Sequence, residues 1–310
     1  MSILPPNKRK VAKETPRNFV IFGGTMHGKT YFADEFPNPL NINTDGNADM
    51  IETPSINLRN ERDVKGNITT PASEKLIKAI TELEAGNHTY ETIVLDVIDD
   101  IITLFEQEIT EEHNVKNIGD IGWGKGHSTH QMMVRVLVMR LKELTMKTGM
   151  NVLYLSRLTT ITENDVERHV PSLPLKWMNI INGNSDYTIL CRKVGKNYIR
   201  RQVDKRKNFD RDKIDDERIL KLLDTVSGAF ERSKKTSTKE QEAIVKEQEA
   251  QQEAEQIMRR REREEKNKES DVKKEEPKEQ KVEPSAVQDE PKEDSPAPRR
   301  RRRRRVSAAE

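Results

Sequence analysis

GGTMHGKT, residues 23–30, fits the spacing G-x-x-x-x-G-K-[ST]. It stands between an apolar run, Asn18-Phe19-Val20-Ile21-Phe22, and a segment predicted to be helical from near Gly28 to before Pro37. A loop of this kind must bend tightly enough for successive backbone N–H groups to converge on a phosphate, and glycines permit that backbone. The helix N-terminus adds its dipole. Lys29 would reach the β- and γ-phosphates, and the Thr30 hydroxyl would ligate Mg²⁺. Gly23, Gly24, Thr25, Met26, His27, Gly28, Lys29 and Thr30 are therefore the candidate ATP-binding residues. The competing explanation is a glycine turn capping a core helix. The pattern arises by chance on the order of once in a hundred chains of this length, so nucleotide binding is the stronger explanation.

Working outward, Pro39-Leu40-Asn41-Ile42-Asn43 and Ser55-Ile56-Asn57-Leu58 read as short strands. Leu76, Ile77, Ile80 and Leu83 predict a helix over 72–85, stopped by Gly86-Asn87. Thr92-Ile93-Val94-Leu95-Asp96 is a buried strand ending in a carboxylate, which suits a Walker B role for Asp96 in the metal's water shell. Asp99 and Asp100 could support the metal or simply favour the N-terminus of a helix over 97–112. A Gly-rich stretch (118–128), a long helix (129–148) and a strand, Asn151-Val152-Leu153-Tyr154-Leu155, follow. A polar connection of some 25 residues then leads to a hairpin over 186–203, turning at Gly195-Lys196-Asn197. Continuous apolar strands alternating with helices predict an α/β fold, a mostly parallel sheet flanked by helices.

Composition sets the boundaries. Lys and Arg number 55 against 53 Asp and Glu, and charged residues make up 35% of the 310. Residues 231–310 hold 23 basic and 21 acidic groups, with no aromatic after Phe230. Such a segment cannot bury enough apolar surface to fold alone. The expected division is an N-terminal arm (1–14), an ATPase core (15–230) and a low-complexity charged tail (231–310). Within the tail, 236–268 could form a solvated helix, and disorder is expected from Asp271 onward. The tail ends in Arg299, Arg300, Arg301, Arg302, Arg303, Arg304 and Arg305, whose default use is salt-sensitive contact with nucleic-acid phosphates. One cysteine, Cys191, permits no internal disulfide, and no Cys/His spacing suggests a metal cluster. No apolar run approaches membrane-spanning length, and MSILPPNKRK has no signal-peptide core. A cytoplasmic protein without a membrane partner is expected, in the host cytoplasm if it is phage-encoded.

With these motifs in place, residues 15–230 resemble a RecA-like P-loop ATPase core, and more narrowly the small phage proteins of the Sak-four single-strand annealing group. The resemblance implies further roles. Asp45, in Asn41-Ile42-Asn43-Thr44-Asp45-Gly46, sits where RecA-like proteins place the carboxylate that activates the attacking water; Asp45-Gly46 also reads as a simple turn. Ser156 and Arg157 occupy the place of a γ-phosphate sensor, without the expected glutamine. Lys205 and Arg206 stand where a basic group reaches the neighbouring subunit's nucleotide, or form a solvated charge cluster. The loops that would hold single-stranded DNA correspond to 117–128, with Trp123, Lys125 and His127, and to about 158–177, with Arg168 and Lys176. Trp123 could instead plug the core.

The resemblance implies a DNA-stimulated ATPase in phage recombination or annealing, assembled as a ring or filament, with a single-strand-binding protein as a possible partner. Two alternatives stay open. A P-loop phosphotransferase would need an Arg-rich lid, for which the core offers no convincing candidate. A nucleotide-gated scaffold for replication or recombination proteins would bind ATP with negligible turnover.

Overall fold

A computed structural model describes residue 7 and residues 14–46, 52–163, 166–232 and 236–272. The run after Arg17 forms β1 (Asn18–Gly23), buried throughout. The chain continues as α1 (Lys29–Asp34), β2 (Pro39–Asn43), β3 (Ser55–Asn57), β4 (Glu61–Arg62), β5 (Ile68–Thr70), α2 (Ala72–Ala85), β6 (Thr92–Asp96) and α3 (Ile98–Glu112). Then come α4 (Lys125–Thr148), β7 (Asn151–Glu163), β8 (Val166–Pro171), α5 (Leu175–Asn182), β9 (Tyr187–Val194), β10 (Asn197–Lys205), α6 (Glu217–Asp224) and α7 (Thr238–Val272). The fold is α/β, as the alternation of apolar strands and helices predicts.

The main sheet has the order β10-β9-β1-β7-β6-β2-β3, and β8 pairs with β7 outside that path. Every pairing along it is parallel except that of the edge strand β10. Parallel strands covered on both faces need apolar residues at nearly every position, which explains TIVLD and NVLYL. Phe19, Ile21, Val94, Leu153 and Leu155 point to one face and meet Phe32 of α1 and Ile219, Leu222 and Leu223 of α6. Val20, Ile42, Ile93, Leu95, Val152 and Tyr154 point to the other, against Leu76 and Ile80 of α2, Ile101 and Phe105 of α3, and Leu141 of α4. Each large apolar side chain so buried contributes about 1.5–3 kcal/mol. Helix α2 is amphipathic on this pattern, and Gly86 ends it at φ 76°, a left-handed conformation that suits glycine.

Two expectations change. The 118–128 stretch is not an open loop: it makes short 3-10 turns over Ile118–Asp120 and Gly122–Gly124, then enters α4 at Lys125. Gly126, in the first turn of α4, leaves no room for a side chain: a Cβ there would meet the Ile118 carbonyl oxygen at 2.6 Å. The polar connection after residue 155 is also structured. After Arg157, β7 leaves β1 and pairs antiparallel with β8, Leu158 with Pro171 through Glu163 with Val166, and α5 follows. Polar residues tolerate this hairpin because it extends past the sheet's end, where period-2 burial no longer applies. The helix expected over 236–268 runs Thr238–Val272. The small pair β4–β5 and helix α6 have no counterpart in the sequence reading.

Two units divide the chain, Met1–Gln256 and Ile257–Glu310. In the second, the described part is the continuation of α7. Arg299–Arg305 and most of the 1–14 arm lie outside the described residues. No helix among the described residues is long and apolar enough to cross a membrane.

Candidate functional site

β1 delivers Gly23 to the C-terminal end of the sheet, and α1 begins at Lys29. Between them the loop needs left-handed backbone at Met26 (φ 61°) and Gly28 (φ 82°). Gly23 has no room for a side chain: a Cβ there would lie 2.4 Å from the Cys191 carbonyl oxygen on β9. Lys29 is 9% exposed, and its Nζ donates to the carbonyls of Gly23 and Gly24, each at 3.0 Å. Burial lowers its pKa, with the nearby Asp96 carboxylate acting in the opposite sense. The His27 ring folds back so that its Nδ1 accepts from the Gly24 N–H at 3.2 Å. Thr25 and Met26 are exposed on the outer side of the loop.

Because β7 separates β1 from β6, the loop and Asp96 bracket the point where β7 leaves the sheet, at Ser156 and Arg157. Thr30 on α1 closes one side: its Oγ1 donates to Asp96 Oδ2 at 2.8 Å. Asp96 is 4% exposed, and burial raises its pKa; the Thr30 bond works against that rise and the Asp45 charge adds to it. Hard oxygen donors at this spacing suit Mg²⁺. Thr30 and Asp96 would hold the ion directly or through its waters. When bound, it would neutralise charge on the phosphates.

Asp45 follows β2, the strand beside β6, and lies within electrostatic reach of both Asp96 and Arg157. Thr44 fixes this junction: its N–H and Oγ1 donate to the Asp96 carbonyl at 2.9 and 3.1 Å, and its Oγ1 accepts from Val97 N–H at 3.1 Å. On the other flank, Asp99 accepts from Ser156 Oγ at 3.1 Å and from Arg157 N–H at 3.3 Å. Burial pushes the Asp99 carboxyl up to about 6. The Arg157 guanidinium forms a two-pronged pair with Asp100, at 2.6 and 2.7 Å. The site thus gathers residues 23–30, Asp45, Asp96, Ser156 and Arg157 at one end of the sheet.

Lys205 and Arg206 are elsewhere. Lys205 pairs with Tyr187, which pairs with Phe19, so both lie at the sheet end away from Gly23. Lys205 Nζ donates to the carbonyls of Ala229 and Glu231, and Arg206 donates to those of Ser185 and Gly183. Within this chain they do not approach the loop.

The candidate nucleic-acid residues divide. α4 is about 36 Å long at 1.5 Å per residue and leads directly into the start of β7. Its N-terminus, with Trp123, Lys125 and His127, therefore points toward the strand ends that carry the P-loop. Trp123 does not plug the core: it is fully exposed, at φ 57° between Gly122 and Gly124. Arg168 is exposed on β8 of the projecting hairpin. Trp177 is buried against His130, and Lys176 lies with Nζ 4.3 Å over the Trp177 ring.

Two further features escaped the sequence reading. Tyr198 of β10 stacks with Tyr31 of α1, ring centroids 6.5 Å apart, and its ring would meet a Cβ at Gly28 at 2.8 Å. Asn41 is a wholly buried amide on the sheet face that carries Asp96. The alternation of Asn41 and Asn43 with Leu40 and Ile42 was the available signal for the second; nothing local signals the first.

The family profile described as an AAA domain matches residues 15–211, about two thirds of the chain. No curated protein matches the chain.

Proposed function

The chain belongs to the AAA-domain family, and from that premise we propose that it is an ATP-hydrolysing, single-stranded-DNA-binding protein of phage recombination or annealing. The observation that carries this is the position of the β7–β8 hairpin. It rises between the P-loop strand and the Asp96 strand, and Arg157 at its base pairs with Asp100 beside that site. A nucleic acid held on the hairpin and on Trp123 would lie at the nucleotide end of the sheet.

Catalysis would rest on positioning and charge neutralisation. The backbone of 23–30 and Lys29 bind the phosphates, Thr30 and Asp96 hold the ion, and Asp45 orients the attacking water. Lys205 and Arg206 would act only on a neighbouring subunit in a ring or filament. A single-strand-binding protein is the partner that the family resemblance favours.

The Asp45→Ala variant tests this assignment. Hydrolysis in a single turnover should fall at least 100-fold while ATP binding stays within about twofold. Unchanged hydrolysis would remove Asp45 from the mechanism, and absence of hydrolysis in the unaltered protein would favour a nucleotide-gated scaffold.

A further inference from the structure

Strand β2 sends Leu40 and Ile42 into the core against α2 and α3, while Asn41 and Asn43 turn to the opposite face. Both asparagines are buried, at 0% and 3% exposure. The parallel register sets Asn41 beside Val94 and Asn43 beside Asp96, so both amides share the face from which Asp96 reaches Thr30. Asn43 is satisfied, its Oδ1 accepting from the Gly46 N–H at 2.8 Å. Asn41 is not: neither its Nδ2 nor its Oδ1 has a partner in hydrogen-bonding geometry. It nevertheless lies near enough to Asp96 to favour the ionised carboxylate.

A buried amide with both polar atoms unmatched destabilises the fold that contains it, and an apolar side chain of similar volume would avoid that cost. Such a group calls for an explanation, for example a catalytic role or a bound water or ion. The Asp96 carboxylate has two oxygens, and Thr30 engages Oδ2. An ion-facing carboxylate keeps its orientation through outer hydrogen bonds, and losing one typically lowers metal affinity 10–100-fold.

We propose that Asn41 is a positioning residue for the nucleotide's metal ion, its Nδ2–H donating to the Asp96 carboxylate and fixing that group's orientation when the ion is bound. The proposal rests on reading Thr30 and Asp96 as the metal-holding pair. It makes Asn41 a residue that acts through Asp96.

The test is a Mg²⁺ titration of fluorescent ATP-analogue binding to the full chain, with chelator-treated samples as the metal-free reference. Asn41→Leu should leave metal-free affinity within twofold and raise the Mg²⁺ midpoint about tenfold. Asn41→Thr, which restores a donor, should recover part of the shift. Asn41→Leu should also melt at or above the temperature of the unaltered protein without ligand, since it removes the unmatched amide. A Mg²⁺ midpoint unmoved within twofold would overturn the proposal, as would equal losses of affinity with and without metal. Those outcomes leave nucleotide binding itself intact. Failure of the unaltered protein to bind the analogue under either condition would instead overturn the nucleotide reading, and this proposal with it.

Discussion

Arg157 and Asp100 join two parts of the molecule that are distant in sequence. The guanidinium at the foot of the β7–β8 hairpin donates through Nη1 and Nη2 to the two carboxylate oxygens at the start of α3, at 2.6 and 2.7 Å. The one Thr44 hydroxyl proton can turn to Asp100 Oδ2 at 3.4 Å or to the Asp96 carbonyl at 3.1 Å, and the Thr44 N–H donates to that carbonyl at 2.9 Å. A continuous polar path therefore runs from the hairpin to the strand end beside Thr30.

That path is expected to carry coupling rather than stability. Arg157 is 45% exposed in the pair, so Arg157→Ala and Asp100→Ala should each change stability by less than about 1 kcal/mol. Both should reduce DNA stimulation of ATP turnover. The double variant should be little worse than either single one, because the two residues act as a unit. Additive losses in a double-mutant cycle would separate their roles.

Gly23 should tolerate no side chain. A Cβ 2.4 Å from the Cys191 carbonyl oxygen meets backbone that has no rotamer to turn away, so β1 and β9 would have to move apart. Gly23→Ala is expected to destabilise the core by about 1–3 kcal/mol. In a thermal melt that corresponds to a loss of roughly 5 °C.

Trp123 should matter for nucleic acid and not for folding. It is fully exposed, so Trp123→Ala should leave the melting temperature unchanged within about 1 °C. Base stacking is worth about 1–3 kcal/mol per base, so affinity for single-stranded DNA should fall about tenfold. Unaltered affinity, measured by anisotropy of a labelled oligonucleotide, would place the DNA elsewhere.

Asp99 gives stability a particular pH dependence. Its folded-state pKa of about 6 lies above the unfolded value of 3.8, so the folded chain binds the proton more tightly. Its contribution is complete below pH 3.8 and is lost as pH rises toward and through 6. Asp99→Asn removes the charge and keeps one acceptor oxygen, which can serve Ser156 or the Arg157 N–H but not both. At pH 7 it should be more stable than the unaltered chain, by on the order of 1 kcal/mol, and the difference should vanish below pH 4. Denaturant midpoints across pH 4–7 check both statements.

What could be read from the chain was what is local. The P-loop announces itself because phosphate binding constrains eight consecutive residues, and Asp96 because a buried strand seldom ends in an unexplained carboxylate. The hairpin over 158–171 was read as a polar connection because its pairing lies outside the sheet and shows no burial alternation. Tyr198 reaches Gly28, and Arg157 reaches Asp100, only through sheet order, which no spacing encodes. Asn41 illustrates the same limit. Leu40-Asn41-Ile42-Asn43 reads as a short strand, and only the sheet order shows that its asparagine face is closed and shared with Asp96.

The most direct measurement is steady-state ATP turnover by the full chain and by Lys29→Ala, each with and without single-stranded DNA. Turnover should rise at least tenfold with DNA, and Lys29→Ala should abolish it while leaving the melting temperature in place. Turnover that ignores DNA, or that survives Lys29→Ala, would contradict the assignment of GGTMHGKT to a nucleic-acid-driven ATPase.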